Sequence, residues 1–332
     1  MLTRKLGRNG PLLPALGLGC MGMSDFYGTA DEAESRATIR AALDAGLSLL
    51  DTGDFYGMGH NELLIAQALE GVPRDRVFIA VKFGALREPG GGWVGFDSRP
   101  AHVKNYLAQT LRKLRTDHVD LYQPSRVDPA VPIEDVVGTI SDLKKAGFVR
   151  HVGLSEAGPE TLRRAAKVHP IAELQVEYSL MSRSVEARVL PACRELGIAV
   201  TAYGVLSRGL LGGRIGSAGP DRPRDGRGRF PRFQGDNLRA NLLLVEALKK
   251  VAAEMGATPS QLAIAWVLSR GEDIIPLVGA RRREQLNDAL RALELRLSPA
   301  DLERIEAAVP AGAVAGTRYD AQGMGLLDSE RG

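Results

Sequence analysis

Leu49–Gly57 reads LLDTGDFYG, an apolar run that closes in two acids, two glycines and a tyrosine. A buried strand seldom ends this way for packing alone. Glycine lets the chain turn sharply, carboxylates cost desolvation, and tyrosine carries a titratable hydroxyl. The stretch therefore reads as a strand end on the floor of an active site, with its partners supplied by the rest of the chain.

The same unit repeats on both sides of it. Apolar runs at Ser48–Asp51, Val77–Phe83, Val119–Gln123, Val149–Ser155, Glu173–Glu177, Ile198–Tyr203 and Ile274–Val278 alternate with apolar residues at helical spacing. Ile133, Val136, Val137 and Ile140 form one such stripe. Nearly continuous apolar runs belong in a parallel sheet whose outer face is covered by helices. Adding the glycine-punctuated strand that ends near Gly22 and Met23 gives eight strand–helix units. The expected fold is α/β: a closed (β/α)8 TIM barrel, one domain over residues 1–332, with an N-terminal β-hairpin cap signalled by Asn9-Gly10. A doubly wound open sheet is the main competitor. It would carry a G-x-G-x-x-G phosphate turn straight after its first strand, and no such turn is read here. Pro191 is expected to kink or crowd the sixth helix.

Between strands seven and eight the chain makes a long excursion. An Arg/Gly/Pro-rich stretch, Arg214–Arg232, precedes two helices at Asn237–Met255 and Pro259–Arg270. Ordered insertions on the catalytic face of a barrel often serve as lids. Phe230–Asn237 is read as a lid; Arg222–Arg229 fits a lid and a solvated loop equally well.

The 332 residues, 44% of them hydrophobic, can bury a substantial core. A formal charge of +3 gives no case for nucleic acid or a membrane surface as partner. No apolar run reaches membrane-span length, and the N-terminus lacks the apolar centre of a signal peptide. Cys20 and Cys193 fit neither a metal spacing nor a disulfide framework, which suits a cytoplasmic enzyme.

In a barrel, chemistry sits where the strands end. The third strand, VFIAVKFG, carries Lys82 near its end. A lysine in such a run costs several kcal/mol unless it meets a carboxylate or a polar cavity. Its strand neighbours the one bearing Asp51 and Tyr56, so the three can meet. The ammonium is expected to lower the phenol's pKa, and Asp51 to hold the lysine. A tyrosine tuned this way can protonate a carbonyl oxygen as hydride arrives at carbon.

At this point the chain resembles the aldo-keto reductases. The likeness runs through LGLGCMGM, LLDTGDFYG, VKFG, VDLYQPSRVD, VGLSE, LQVEYSL, YGVLSRGLLGG, PRFQGDN and IIPLVGARRREQL, all in family order. It implies NADPH-dependent reduction of a small aldehyde or ketone, with NADP+ as the oxidised product and with no metal. Three of the family's catalytic Asp, Tyr, Lys and His fall on Asp51, Tyr56 and Lys82. The fourth position holds Ser125, which donates a hydrogen bond but cannot become a cation. His118 precedes that strand and should lie at the far end of the barrel.

The resemblance also implies a cofactor site. Gly22, Met23 and Asp51 would lie along it, with Ser155, Glu156 and Gln175 at the nicotinamide carboxamide and Tyr203 stacked on the ring. The turn Gly204, Leu206, Arg208, Gly209 and Leu211 matches the pyrophosphate loop. Gly279, Ala280 and Arg281 open a helix where amides and arginine favour a phosphate, and Gln285 and Asp288 continue toward the adenosine. Phe55, Phe83, Trp93, Tyr319 and Met324 are candidates to line the substrate pocket. Two other readings stand beside this one. A cofactor-binding regulatory subunit with weak turnover would suit the missing histidine, and an aldolase would use Lys82 as a Schiff base.

Overall fold

A computed structural model describes residues 1–220 and 225–331. A hairpin of β1 (Thr3–Lys5) and β2 (Leu12–Pro14) leads into the first barrel strand, β3 (Gly17–Gly19). Helix α1 (Glu32–Asp44) starts where the Asp31 carboxylate accepts the Glu34 amide, satisfying a backbone donor that the helix itself cannot. Next come β4 (Leu49–Gly53), α2 (His60–Ala68), β5 (Phe78–Phe83), a second hairpin of β6 (Ala85–Arg87) and β7 (Trp93–Phe96), and α3 (Pro100–Leu114). The middle of the chain holds β8 (Val119–Pro124), α4 (Ile133–Lys145), β9 (Val149–Ser155), α5 (Pro159–Val168) and β10 (Glu173–Glu177). It continues through α6 (Val189–Leu196), β11 (Ala199–Tyr203), α7 (Gly235–Glu254), α8 (Pro259–Ser269) and β12 (Ile274–Gly279). Helices α9 (Arg283–Arg291), α10 (Pro299–Ala308) and α11 (Ala321–Gly325) finish the chain. Among the described residues, no helix is long and apolar enough to cross a membrane.

Eight strands close a parallel barrel in the order β3-β4-β5-β8-β9-β10-β11-β12, as expected. The second hairpin, β6–β7, was not expected; its strands are short and half exposed, which leaves little apolar pattern to read. Other expectations need correcting at the level of turns. The first strand stops at Gly19, and Met21–Met23 is a 3-10 turn. The N-terminal hairpin closes through Leu6–Pro11, with Gly7 rather than Gly10 in the left-handed region. Pro191 falls in the first turn of α6, where the amide it lacks would have no helical acceptor. Residues 17–22, GLGCMG, do carry the G-x-G-x-x-G spacing. Gly17 lies inside a strand, however, and a Cβ there would come within 2.7 Å of the Leu49 and Leu277 side chains. The glycine serves barrel packing, not a phosphate turn.

Side chains alternate between the barrel's interior and its helical shell. At the N-terminal end, Leu49, Phe78, Leu121, Ala199, Ile275 and Leu277 fill the interior, and Leu6 and Leu13 of the hairpin plug it. Above this layer the interior turns polar: Asp51, Lys82, Gln123, Glu173, Gln175 and Thr201 are all buried. Glu173 faces Gln123 and Thr201, yet neither of its oxygens completes a hydrogen bond, and the polar atoms of those neighbours are also unpaired. Burial, aided by the nearby Asp51 charge, pushes its carboxyl up to about 8 from an ordinary 4.5.

A carboxyl raised in the folded state keeps a proton that the unfolded chain gives up. Glu173 therefore costs nothing below pH 4.5 and destabilises the fold progressively as pH rises toward about 8. Glu173→Gln should remove that decline. Urea midpoints at pH 5 and pH 8.5 should converge in the variant, after differing by up to several kcal/mol in the parent.

Candidate active site

Strand register brings the first candidates together. Gly53 pairs with Lys82 across β4 and β5, which sets the Lys82 side chain beside that of Asp51. Lys82 Nζ donates to both Asp51 oxygens, at 2.7 and 2.6 Å, and Gln175 Nε2 donates to the second of them at 2.7 Å. Both members of the pair are buried, so the attraction acts where water screens it least. Tyr56 opens the next turn, with Lys82 Nζ 5.3 Å from its ring centroid.

This differs from expectation in one respect. The ammonium is committed to Asp51, and the Tyr56 phenol is pushed well above its usual pKa, first by burial and then by the Asp51 charge. The leading influence in the other direction is Arg126 rather than Lys82.

Ser125 follows β8 at the mouth of the barrel. Its hydroxyl is buried without a hydrogen-bond partner. None of the five histidines forms a hydrogen bond with Asp51, Tyr56, Lys82 or Ser125 among the described residues. His60 binds Ser24 and Glu32, and His118 binds Asp117 below β8. Phe55 packs edge-on against Tyr56 and Trp93, and with Met21 and Phe96 it forms an apolar wall beside the phenol. Phe83 is not part of that wall: it is fully buried in the shell and stacks on Tyr122.

A second buried network lies on the side of β9 to β11. Arg318, from the C-terminal tail, grips both Glu156 oxygens at 2.8 Å. The Tyr203 hydroxyl donates to Glu156 at 2.7 Å, and the Ser329 hydroxyl is a further partner. Burial alone would raise the Glu156 pKa, but Arg318 holds it down at about 2. Glu156 therefore anchors the tail instead of presenting a free carboxylate to the barrel mouth. Gln175 likewise turns to Asp51, while Ser155 stays buried one residue before Glu156.

The long excursion closes over the opposite rim. Asp225 bridges Tyr27 in antiparallel fashion, and Gly226 N donates to the Phe26 carbonyl at 2.8 Å. Arg227 clasps Asp225 and reaches the Arg208 carbonyl at 2.9 Å. Residues 225–229 are thus a strap rather than a solvated loop; Arg222–Arg224 lie outside the described residues. Phe230 and Phe233 are buried, and the lid expected after residue 230 is a docked wall against Tyr319 and Phe26.

Arg281 joins this rim by donating to the carbonyls of Tyr27 and Thr29, at 2.9 and 3.1 Å. Gln285 caps the Arg281 amide, and Asp288 accepts from Thr258 and Gln261. Beside them a groove of about 580 Å³ is lined by Gly212, Arg214, Ser260, Asn287 and Asp288. Gly279 is exposed at the groove's side of the rim, and Ala280 is buried beneath it.

Strained backbone collects on this same face. Of the six non-glycine residues with positive φ among the described residues, Phe26, Met58, Glu156, Ser207 and Arg208 each follow a barrel strand, and the sixth, Arg115, caps α3 ahead of β8. Gly204 and Gly209 extend the pattern after β11. Strain of this kind persists only where surrounding contacts hold it, and such places cluster at ligand sites. Met23 sends its side chain into the core, as do Leu206 and Leu211, so these positions offer backbone to the mouth.

The profile of the aldo/keto reductase family matches residues 15–310. The chain belongs to that family. It is 40% identical over 316 residues to a probable aldo-keto reductase of Glycine max, covering 95% of this chain and 91% of the relative. It is 37% identical over 321 residues to an NADP(+) aldo-keto reductase of Schizosaccharomyces pombe (strain 972), covering 96% and 94%. The glycerol dehydrogenase of Gluconobacter oxydans superposes with a TM-score of 0.84 at 29% identity, over 93% of this chain and 95% of that one. A thermostable aldo-keto reductase solved with the inhibitor epalrestat gives 0.74 at 27% identity, over 93% and 100%.

In this aldo/keto reductase, Glu173, Gln123, Arg126 and Arg318 sit in or beside the site without having been singled out from sequence. The alternation in ELQVE was the available signal for Glu173; the other three had none.

The Glu156–Arg318 pair makes a stability prediction. A carboxyl held low in the folded state contributes stability that is present above about pH 4.5 and lost as pH falls toward 2. Arg318→Met would strand Glu156 in the interior, and should cost about 3–5 kcal/mol at pH 7 by urea unfolding. The acid-induced loss between those pH values should shrink in the variant.

Proposed function

We propose that the protein reduces a small aldehyde or ketone to the alcohol with NADPH, Tyr56 giving the proton. The observation that carries this reading is the buried Lys82–Asp51 pair packed against the Tyr56 ring, with the unpartnered Ser125 hydroxyl at the same mouth. The phenol bears its proton at neutral pH and can give it to a carbonyl oxygen as the alkoxide forms, burial and the Asp51 charge making it a weaker acid than a free tyrosine. The Lys82–Asp51 pair packs against its ring and positions it, and Ser125 can donate one hydrogen bond to a carbonyl oxygen.

NADPH, when bound, supplies the hydride. The residues fit such a group. In this reading Ser155 and Gln175 would hold the carboxamide, and the Tyr203 ring would stack on the nicotinamide. The strained backbone of Gly204–Leu211 and Gly22–Met23 borders the same face. Gly279, Ala280 and the Arg281–Arg283 run lead into the helix whose Asn287 and Arg291 line the polar groove, and these with Lys249 and Ser260 would suit a phosphorylated nucleoside, Arg214 there being paired with Glu284. Gln285 and Asp288 shape that end through their contacts with Arg281 and Thr258. Glu156 acts at one remove, by fixing Tyr203 and the tail.

A second reading, a cofactor-binding regulatory subunit with feeble turnover, is favoured by one observation only: Ser125 in place of histidine. A Schiff-base role for Lys82 is disfavoured because its ammonium is fully committed to Asp51.

NADPH oxidation with a panel of aromatic and aliphatic aldehydes should show turnover that falls about 100-fold or more in Tyr56→Phe. Tight NADPH binding with no turnover on any carbonyl would instead establish the regulatory reading. Ser125→His should change kcat severalfold and introduce a titration near pH 6.5. Arg281→Ala and Arg282→Ala should weaken NADPH by about 10-fold and NADH much less, and equal losses would refute a 2′-phosphate contact there.

A further inference from the structure

Four arginines gather on the mouth of the barrel, and three of them have carboxylates. Arg208 and Arg232 approach Glu177 at 3.3 and 3.5 Å, and Arg318 holds Glu156 at 2.8 Å. Arg126 has no carboxylate within 4.0 Å among the described residues. Its Nη1 donates to the Ser125 carbonyl at 2.6 Å and its Nη2 to the Tyr319 hydroxyl at 3.1 Å. Both acceptors are neutral oxygens, so the guanidinium forms no ion pair of its own among the described residues, and the Glu156 carboxylate that acts on it from beyond contact is already held by Arg318. The side chain is only partly buried, and a small molecule entering the mouth can reach it.

The position of that charge narrows what it could serve. Arg126 follows β8, beside Ser125, and its field reaches the Tyr56 phenol. In the barrel order, β8 stands directly across from β12, whose end carries the Gly279–Arg281 run. A phosphate held at that run lies on the far side of the mouth and leaves Arg126 unpaired. Beside Tyr56 stands the apolar wall of Met21, Phe55 and Phe96. An apolar wall and a surplus guanidinium, both at the proton-donating phenol, describe a molecule with a short apolar body and an anionic end.

We propose that Arg126 is the substrate's anion site, and that the substrate is a small aldehyde or ketone bearing a carboxylate. The proposal rests on the carbonyl-reduction reading and names the substrate class for it. The carboxylate takes the free edge of the Arg126 fork in charge-assisted hydrogen bonds, and the carbonyl oxygen is left to Tyr56 and Ser125. Tyr319, between Arg126 and Arg208, closes the site from the tail: the two guanidiniums outweigh burial and draw its pKa below the usual value.

Two matched pairs test this kinetically: 4-oxobutanoate with 4-oxobutanamide, and 4-formylbenzoate with 4-formylbenzamide, each pair differing in charge but hardly in shape. The parent enzyme should favour the acids in kcat/KM by about 10- to 100-fold, the range of a charge-assisted contact. Arg126→Met should collapse that ratio toward one, and Arg126→Lys should keep part of it. Acid and amide reduced equally well by the parent would overturn the anion site while leaving carbonyl reduction intact. Equal losses for both members in Arg126→Met would place the guanidinium on the carbonyl or on Tyr56, and would overturn it too. Calorimetry of the NADP+-saturated parent and of Arg126→Met, with butyrate and with butyramide, decides independently of turnover. Saturable binding of butyrate alone to the parent, lost in the variant while NADP+ still binds, supports the site; equal binding of the two, binding of neither, or butyrate binding unchanged in the variant overturns it. If none of the four carbonyls is reduced, carbonyl reduction fails, and the butyrate titration still decides the anion site.

Discussion

The Lys82–Asp51 pair is the constraint around which the interior is arranged. Two charges removed from water are stable only if they neutralise one another and their remaining hydrogen-bonding capacity is met. Register supplies the first condition by facing the two residues from adjacent strands. Gln175 supplies part of the second by donating to Asp51. The layer below must then be dry and tightly filled, because mobile water would screen the pair and loosen its geometry. The hairpin plug with Leu6 and Leu13 meets that need. A third charge cannot be accommodated, which is why the Glu173 carboxyl retains its proton to so high a pH.

A separate ionic network does for the tail what that pair does for the barrel. Residues after α10 have little regular structure and bury few apolar groups, so burial alone would not hold them across the mouth. Arg318 on Glu156 and Glu330, Gly158 N on Asp328, and Ser184 on Glu330 bind that segment at several points. Except for the exposed Ser184 contact, these are buried or half-buried, and removing one partner leaves the other in a poorly solvated place. The tail is consequently part of the site's wall. Tyr319, next to Arg318 in the chain, reaches Tyr203 at 3.2 Å and is held there by Arg126 and Phe230 as well.

The barrel was legible because its signal is redundant. Each of eight units repeats an apolar run and a helical stripe, so a misplaced end such as Gly22 does not alter the topology. The Asp51, Tyr56 and Lys82 cluster was legible because titratable groups in apolar runs are conspicuous. The polar middle layer was not. Gln123 and Thr201 alternate with apolar residues facing the shell, so their strands look apolar throughout; only ELQVE shows the alternation openly. Positive φ at Glu156 and Arg208 leaves no trace in residue type, and Arg318 lies in a stretch without period. Phe83 misled in the opposite sense, being aromatic, close to Lys82 in the chain and turned outward into the shell.

The electrostatic balance at the mouth explains how the site could function with serine where histidine is usual. A histidine beside the phenol would bring a charge that changes between pH 5 and 8. Here the leading cation to oppose the upward push on Tyr56 is Arg126, whose charge is permanent. Burial pushes two carboxyls in this part of the barrel up toward neutrality, Asp54 to about 7 and Glu173 to about 8. Serine in place of the usual histidine removes the switchable charge and leaves the permanent charge of Arg126 as the cation beside it, able to bind as well as polarise.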